Sequence, residues 1–222
     1  METKEPPENN NPQHYTLKEY PENECCSEVN EALIDYTKMR YTIEEYLEME
    51  RASDIKHEYY QGEIFAMAGA SRNHIIISMN VSGELYIKLK GKSCRPYGSD
   101  MRMHIPENTL YTYPDISIYC GNLTTTDKEK DTAINPTIII EILSKSTRSY
   151  DMRTKFEFYQ NIPTLKEYIL IDSEGIGVRS YRIDENNRWI LEDYKTLQDT
   201  VLIPSVGVSL SMKDIYDGVV FE

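Results

Sequence analysis

Two carboxylates stand in stretches of the chain that otherwise consist of residues suited to burial. Asp115 follows Tyr113 and Pro114 and precedes an apolar segment, and Glu141 is the only charged residue in 138–143. Ionised carboxylates are costly to remove from water unless a cation, hydrogen bonds or a proton compensates them. A divalent metal held by both acids would be the simplest compensation. The alternative is an acid at a strand end, neutralised by an arginine or capping a helix.

The spacing predicts which elements carry these two acids. Side chains alternate between the two faces of a strand, so Asp115 shares a face with Ser117 and Tyr119. Segment 138–143 has no such alternation and is dominated by isoleucine, which is typical of a central strand covered on both faces. We therefore expect Asp115 and Glu141 to lie side by side on adjacent strands and to line a cleft.

The remaining elements follow from capping residues and turns. Thr42 and Glu45 form a capping box, and Gln61-Gly62 indicates a hairpin. Ser71 opens a long helix, and its predicted apolar stripe consists of Ile75, Ile76, Met79, Leu85 and Leu89. Asp151 is predicted to cap a helix that runs to about residue 161. Further strands are expected at 94–97, 101–105, 116–120, 168–171, 178–183, 189–194 and 201–203. This order indicates an α+β fold built on one mixed sheet.

Composition bounds the domains and the partners. The 222 residues carry a net charge of −13, of which −6 falls in residues 1–39. We expect residues 1–39 to be an acidic, largely disordered extension and residues 40–222 to form one domain. An acidic chain does not hold nucleic acid by bulk electrostatics, so any such binding must come from a local site.

Location is predicted from apolar runs and from the cysteines. No apolar run approaches the roughly 18 residues of a membrane span, and no secretory signal is recognised. The four cysteines, at 25, 26, 94 and 120, match neither a disulfide framework nor a zinc site. These observations predict a protein of the reducing cytoplasm without membrane contact.

Many separated motifs, taken in order, resemble the Uma2 family of restriction endonucleases. They are 41–47, His57-Glu58-Tyr59, 62–64, 67–71, His74, 98–102, Tyr113-Pro114-Asp115, 135–136, 141–144, 146–147, Asp151, Lys155, Pro163, 167–168 and 215–218. The resemblance extends over residues 40 to about 220. It implies the PD-(D/E)xK nuclease fold, a restriction-endonuclease-like mixed β-sheet core flanked by helices, here with extra antiparallel hairpins.

The resemblance also implies a reaction and a set of catalytic residues. Asp115 and Glu141 would hold Mg²⁺, for which Mn²⁺ can substitute, and a lysine would help to position the attacking water. The general pattern puts that lysine two residues after the second acid, where this chain has Leu143. Lys145 and Lys155 are the two replacements, and we favour Lys155, which would point from the helix over the sheet. Its alternative role is a solvent-facing ion pair with Asp151.

Other acids and other functions stay open. Glu63 and Asp100 are second candidates for the site, as further metal ligands or as partners of Arg102, while His74 is expected to be a structural histidine. The leading function is hydrolysis of DNA phosphodiester bonds, and a homodimer is left open. The alternatives are a catalytically inactive nucleic-acid-binding or protein-interaction module on the same fold, and hydrolysis of another phosphate ester.

Overall fold

A computed structural model describes residues 40–126 and 130–221, which form a mixed α+β fold. The prediction for residues 1–39 lies outside the described residues. The helices are α1 (Ile43–Ala52), α2 (Arg72–Leu89), a π-helix (Tyr150–Lys155), α3 (Phe156–Tyr159), a 3₁₀ turn (Pro204–Val206) and α4 (Met212–Ile215). The strands are β1 (His57–Tyr60), β2 (Glu63–Ala66), β3 (Cys94–Gly98), β4 (Arg102–Ile105), β5 (Leu110–Thr112), β6 (Ile116–Cys120), β7 (Thr132–Ala133), β8 (Ile138–Leu143), β9 (Glu167–Asp172), β10 (Val178–Ile183), β11 (Trp189–Tyr194), β12 (Thr200–Ile203) and β13 (Val208–Ser211).

The predicted mixed sheet is the centre of the described fold. Its strand order is β11-β10-β9-β8-β6-β3, with β8 and β9 parallel and the other neighbours antiparallel. A second sheet, β2-β1-β5-β4-β7, adds the antiparallel hairpins, and β12 pairs with β13. The expected α+β class and mixed core are confirmed.

Strand β8 is buried on both faces because a separate apolar cluster covers each one. Ile138, Ile140 and Ile142 pack in a cluster that includes the buried side of α2. Ile139 and Leu143 pack on the other face with side chains of the segment that follows Lys155. All six residues of the strand are buried. The run of isoleucines is therefore the interior strand that the sequence predicts.

Local signals place the elements that precede the central sheet. The Thr42 side chain accepts a hydrogen bond from the Glu45 amide, and the Glu45 side chain accepts one from the Thr42 amide. The predicted capping box therefore opens α1. The β1–β2 hairpin turns at Gln61 and Gly62, which have φ of 48° and 93°. Positive φ at both turn positions matches the twist of the two strands. Gly62 also has Arg40 packed against the place where a Cβ would stand.

Helix α2 begins at its predicted cap, but only part of its predicted apolar stripe faces the core. Ser71 accepts from the His74 amide, as an N-cap should. The buried stripe consists of Ile77, Val81, Leu85 and Leu89, spaced four residues apart. Leu85 and Leu89 are buried as predicted, whereas Ile75 and Met79 of the same predicted stripe are 53% and 69% exposed. The helix carries apolar residues on more than one side, so the sequence alone did not identify the inner one.

The segment after β8 is helical, although not in the way the sequence predicts. Asp151 lies inside the helix, and its amide donates to the Thr147 carbonyl, so it is not the N-cap. Residues Tyr150–Lys155 form a π-helix that continues as α3. Wide turns of this kind are rare and occur often at functional sites. Both Asp151 and Lys155 are buried.

The prediction that the cysteines do not form a disulfide framework was wrong for Cys94 and Cys120. Cys94 and Cys120 form a disulfide. They stand directly opposite each other in the antiparallel β3–β6 pair, and this register, which joins residues 26 apart in sequence, is not visible in the spacing alone. The predicted cytoplasmic location loses the support it drew from unpaired cysteines.

No helix among the described residues has both the length and the apolar character needed to cross a membrane.

Candidate active site

Asp115 and Glu141 lie next to each other on one face of the central sheet. The register pairs Ser117 with Ile139, so the residues two positions away on each strand, Asp115 and Glu141, continue on that face. The Asp115 amide donates to Glu141 Oε2 at 3.2 Å, and the Ile142 amide donates to Asp115 Oδ2 at 2.7 Å. Each carboxylate is thus held by the backbone of the other's strand, which fixes both in place.

Glu141 is the more deeply buried of the two acids. Its side chain is 5% exposed, compared with 19% for Asp115. Tyr159 donates a hydrogen bond of 2.8 Å to Glu141 Oε1, and Lys155 Nζ lies 3.2 Å from the same oxygen. Burial nevertheless raises the pKa of Glu141 to about 8, because desolvation outweighs the attraction of Lys155 and the neighbouring acids add repulsion.

Lys155 lies at the centre of the acids. Its Nζ is 3.1 Å from Glu58 Oε1, 3.2 Å from Glu141 Oε1 and 3.4 Å from Asp151 Oδ1. Burial lowers the pKa of Lys155, but Glu141, Glu58 and Asp151 together raise it well above its usual value. The lysine is therefore a permanent cation and reaches the acids from the helix, as the sequence analysis expects. It also pairs with Asp151, although not in the solvent-facing way considered as the alternative.

The position two residues after Glu141 is apolar and buried in this protein. Leu143 is 4% exposed and belongs to the apolar cluster that includes Tyr159 and Leu165. A charged group in that cluster would be desolvated. The positive charge comes from the π-helix instead, because Lys155 lies there and its Nζ is 3.2 Å from Glu141 Oε1.

Glu58 is a member of the site that sequence reasoning missed. It lies on β1, and besides Lys155 it accepts hydrogen bonds from the Thr112 hydroxyl and, at 3.3 Å, from the Tyr150 hydroxyl. The sequence marks Glu58 only as part of the His57-Glu58-Tyr59 motif. The available signal was an acid inside a short strand otherwise made of aromatic and buried residues, which is the same signal that marks Glu141.

His74, expected to be structural, contacts the site directly. Its Nε2 lies 3.1 Å from Asp115 Oδ2. Burial lowers the pKa of His74, but the hydrogen bond and the charge of Asp115 outweigh this and raise the pKa above its usual value. The Ser71 cap places His74 in the first turn of α2, where its ring reaches Asp115. Nothing in the sequence linked these two residues, which are 41 positions apart.

Six side chains form what we call the open cluster, because all of them line one cleft of about 1000 Å³. They are Glu58, His74, Asp115, Glu141, Asp151 and Lys155. Burial also raises the pKa of Asp151, against the attraction of Lys155. Lys145 lines the same cleft but is exposed, and among the described residues it forms no ion pair. The cluster thus sets four carboxylates against one lysine and one histidine.

Glu63 and Asp100 do not join the open cluster. Glu63 is exposed at the start of β2, opposite Tyr60, and does not line the cleft. The hairpin contributes Glu58 from its other strand instead. Asp100 is 95% exposed and pairs with Lys56, which is the salt-bridge role considered for it, although with a different partner from Arg102. The placement of both residues argues against a role as metal ligands.

A second group of buried polar residues anchors the strand that carries Asp115. The Tyr113 hydroxyl donates to Glu50 Oε1 at 2.8 Å, and Glu50 Oε2 lies 2.9 Å from His57 Nδ1. Arg102 approaches the same hydroxyl at 3.5 Å. We call Glu50, His57 and Arg102, joined through Tyr113, the closed cluster, because these three residues do not line the cleft. It fixes the chain two residues before Asp115.

The oxygens of the open cluster fit a hard divalent cation. Within residues 40–126 and 130–221, no group of three or more His, Cys, Asp or Glu side chains is arranged to hold a metal by itself. Mg²⁺ needs no such cage, because it binds through one or two carboxylates and keeps waters and substrate phosphate as its other ligands. Asp115 and Glu141 meet that requirement, and the excess of carboxylates supplies the negative charge that a cation would neutralise.

Comparison with known proteins identifies the family to which the chain is similar. The Uma2 family model, described as "Putative restriction endonuclease", matches residues 43–213. The uncharacterized protein slr1290 of Synechocystis sp. is 34% identical over 179 residues, which are 80% of this chain and 92% of that protein. A second Synechocystis protein, sll1609, is 37% identical over 152 residues, 68% of this chain and 86% of its own length.

A solved structure shares the fold. It is a crystal structure described as a "putative nuclease belonging to DUF820" from Anabaena variabilis, with a TM-score of 0.66 and 21% identity. The match covers 81% of this chain and 99% of the other. At this identity the likeness shows the fold alone.

Proposed function

The chain belongs to the Uma2 family, and on this premise we propose that it is a metal-dependent endonuclease that hydrolyses phosphodiester bonds in DNA. One observation carries the proposal. Asp115 and Glu141 share a sheet face in an accessible cleft, and Lys155 lies 3.2 Å from Glu141. Two acids and a lysine at one place are the groups that metal-assisted phosphoryl chemistry uses.

The two acids would hold Mg²⁺, or Mn²⁺ in its place, through carboxylate oxygens. When bound, the metal would lower the pKa of a water and offset charge on the phosphate. Asp115 is kept in position by the Ile142 amide and by His74. Glu141 is kept in position by Tyr159 and by the Asp115 amide. The ligands are therefore oriented before any substrate arrives.

Lys155 acts as a fixed positive charge and not as a base. Its raised pKa keeps the ammonium group protonated, so it can stabilise negative charge on the phosphate oxygens and orient the attacking water. Glu58 and Asp151 hold the ammonium group from the other sides. In the reaction, the water oxygen bonds to phosphorus, one phosphorus–oxygen ester bond breaks, and the departing oxygen leaves as an alcohol carrying a proton from water.

The test is cleavage of DNA by the whole chain. Supercoiled plasmid and defined oligonucleotides are incubated with Mg²⁺ or Mn²⁺, with EDTA as the blank. We expect cleavage by the wild type and a loss of about 100-fold or more in Asp115→Ala, because a ligand and its alignment are removed. Glu63→Ala is the matched control, since it deletes an exposed acid outside the cleft, and it should cut like the wild type.

Equal rates for the wild type and Asp115→Ala would overturn the proposal. The chain would then be assigned to the second candidate, an inactive nucleic-acid-binding or protein-interaction module on the same fold. The specific observation that favours this candidate is Leu143 in the position where the general pattern has a lysine.

A further inference from the structure

The cleft has an apolar wall beside the open cluster. It is formed by the end of β2, by the segment that joins β2 to α2, and by one side of the first turns of α2. We call these residues the apolar wall: Phe65, Met67, Ala68, Ala70, Ile75 and Met79. Phe65 is 47% exposed, Ile75 53% and Met79 69%. Large apolar side chains are thus left in water at the mouth of the site.

The wall and the acids are parts of one surface. Ile75 directly follows His74, which contacts Asp115. Successive helix residues are about 100° apart, so Ile75 and Met79, four residues apart, form a stripe next to His74. A phosphate held at the open cluster would therefore have the rest of its nucleotide against the wall. Exposed apolar area continuous with a site indicates a ligand surface more than scattered exposure does.

The charges around the cleft do not suit intact duplex DNA. Duplex binding relies on neutralising many phosphates with lysine and arginine. The basic side chains among the cleft-lining residues of the described chain are Lys56, Lys145, Lys155 and His74. Lys155 is surrounded by acids, and Lys56 pairs with Asp100. The chain as a whole carries a net charge of −13. Few positive charges are therefore left to neutralise the phosphates on both strands of a duplex.

An unpaired base suits the same surface. Single-stranded nucleic acid is commonly bound by placing base faces on aromatic and apolar side chains, which contributes without reading sequence. In a duplex both faces of a base are already stacked, so the wall cannot reach them unless the base leaves the helix. A cleft of about 1000 Å³ has room for one nucleotide and part of the next.

We propose that the apolar wall binds an unpaired base next to the scissile phosphate, so that the substrate is single-stranded DNA or a single-stranded region within it. This inference rests on the proposed nuclease function and adds the substrate class. Phe65 supplies the aromatic face, and Ile75 with Met79 supplies the apolar contact on the helix side. The wall sets which strands are cut, and the open cluster sets the chemistry.

The test compares one sequence as a single strand and as a duplex, with Mn²⁺, by kcat/KM. We expect the single strand to be cut at least about tenfold better. Phe65→Ala and Met79→Ala should each lower kcat/KM on the single strand by about 5- to 150-fold, the range expected for loss of one stacking contact. Ile87→Ala is the matched control, because Ile87 is 69% exposed on the same helix but does not line the cleft.

Binding separates failure of this inference from failure of the proposed function. Fluorescence anisotropy with labelled single-stranded and duplex oligonucleotides in Ca²⁺ needs no cleavage. If nothing is cut by the wild type, the nuclease proposal fails, yet tighter single-strand binding that Phe65→Ala weakens still supports the wall. Equal affinity and equal cutting of both forms would overturn the inference.

The other candidate for covering the wall is a second copy of the chain. Sedimentation equilibrium of the wild type and Met79→Ala decides this. A dimer that dissociates in Met79→Ala, with unchanged preference for single strands, would assign the wall to dimer contact and overturn the inference. The same oligomeric state for the wild type and Met79→Ala would support the inference.

Discussion

The open and closed clusters are both made of buried charged side chains, but only the open one faces a cleft. In the closed cluster, Glu50 accepts from the His57 amide and from Tyr113, and it contacts the His57 ring. Arg102 bonds to Asp131 at 2.6 Å. Glu50, and Asp131 beside the cluster, thus each accept a hydrogen bond from a nearby donor. Burial of charge in this cluster therefore serves to join α1, β1 and β4.

The open cluster differs because its acids outnumber the cations within the cluster. Lys155 is the shared ion-pair partner of Glu58, Glu141 and Asp151. Among the side chains of the cluster, His74 is the one that pairs with Asp115. Desolvation raises the pKa of Glu141 to about 8 and the neighbouring acids add to this, so its negative charge is poorly compensated in the absence of a further cation. An excess of acids that solvent can reach is a preformed place for a cation. Buried charge alone therefore does not mark a functional site, whereas unbalanced charge that lines a cleft marks a candidate for one.

The largest effect is expected at Lys155. Lys155→Met leaves the three buried acids without their shared cation, and removing one partner of a buried pair destabilises a protein by about 3–5 kcal/mol. Urea unfolding at pH 7 measures the loss, and activity should disappear as well. Arg179→Met, which removes a more exposed ion pair with Asp193, is the control and should cost under about 1 kcal/mol. Similar losses for both variants would mean that Lys155 is an ordinary surface cation.

A smaller loss is expected in the closed cluster. Glu50→Gln keeps the shape but weakens the hydrogen bonds to His57 and Tyr113, which should reduce stability by about 1–3 kcal/mol. Cleavage per folded molecule should stay near the wild-type rate, because Glu50 does not line the cleft. Chemical unfolding and initial rates on the same preparation check both statements. A loss of activity comparable to that of Asp115→Ala would erase the difference between the clusters.

The raised pKa of Glu141 predicts how stability changes with pH in EDTA. Glu141 holds its proton up to about pH 8 in the folded state and only to about 4.5 when unfolded. Its contribution is therefore fully present below about pH 4.5 and is lost as the pH rises toward 8, with a slope of at most about 1.4 kcal/mol per pH unit for one proton. Glu141→Gln should flatten this part of the stability profile. An unchanged profile would contradict the assignment of the proton to Glu141.

The smallest effects are expected at the acids outside both clusters. Glu63→Gln and Asp100→Asn alter exposed side chains, so each should change stability by less than about 0.5 kcal/mol and leave cleavage unchanged. Thermal unfolding and the plasmid assay measure this. A marked loss of activity in Glu63→Gln would return that residue to the site.

Sequence reasoning found the central strand pair because Asp115 and Glu141 break otherwise apolar patterns. It also favoured Lys155 on a helix, because the family resemblance implies a lysine near the two acids and Leu143 occupies the position where the general pattern has it. It did not find Glu58 and His74, because their contacts join residues that are distant in sequence. Glu58 meets Lys155 across 97 positions, and no local period reports such a distance.

The wrong predictions have the same physical origin. The Cys94–Cys120 pair depends on the register of β3 against β6, and the inner side of α2 depends on which sheet face it covers. Asp151 looked like a cap because a free acid before a helical pattern usually is one. The π-helix instead turns it inward to Lys155. Tertiary contacts decided each case, and local patterns do not contain them.

The measurement that tests the central claim most directly is thermal unfolding with and without Mn²⁺, for the wild type, Asp115→Asn and Glu50→Gln. A cation that binds only the folded state stabilises it by mass action, by about 2.7 kcal/mol at a hundredfold excess over its dissociation constant. We expect Mn²⁺ to raise the Tm of the wild type and of Glu50→Gln, and to leave Asp115→Asn nearly unchanged. In EDTA, Asp115→Asn should unfold at a higher temperature than the wild type, because one acid of a repelling set is neutral. Equal Mn²⁺ shifts in all three proteins would contradict the claim that the open cluster is the metal site.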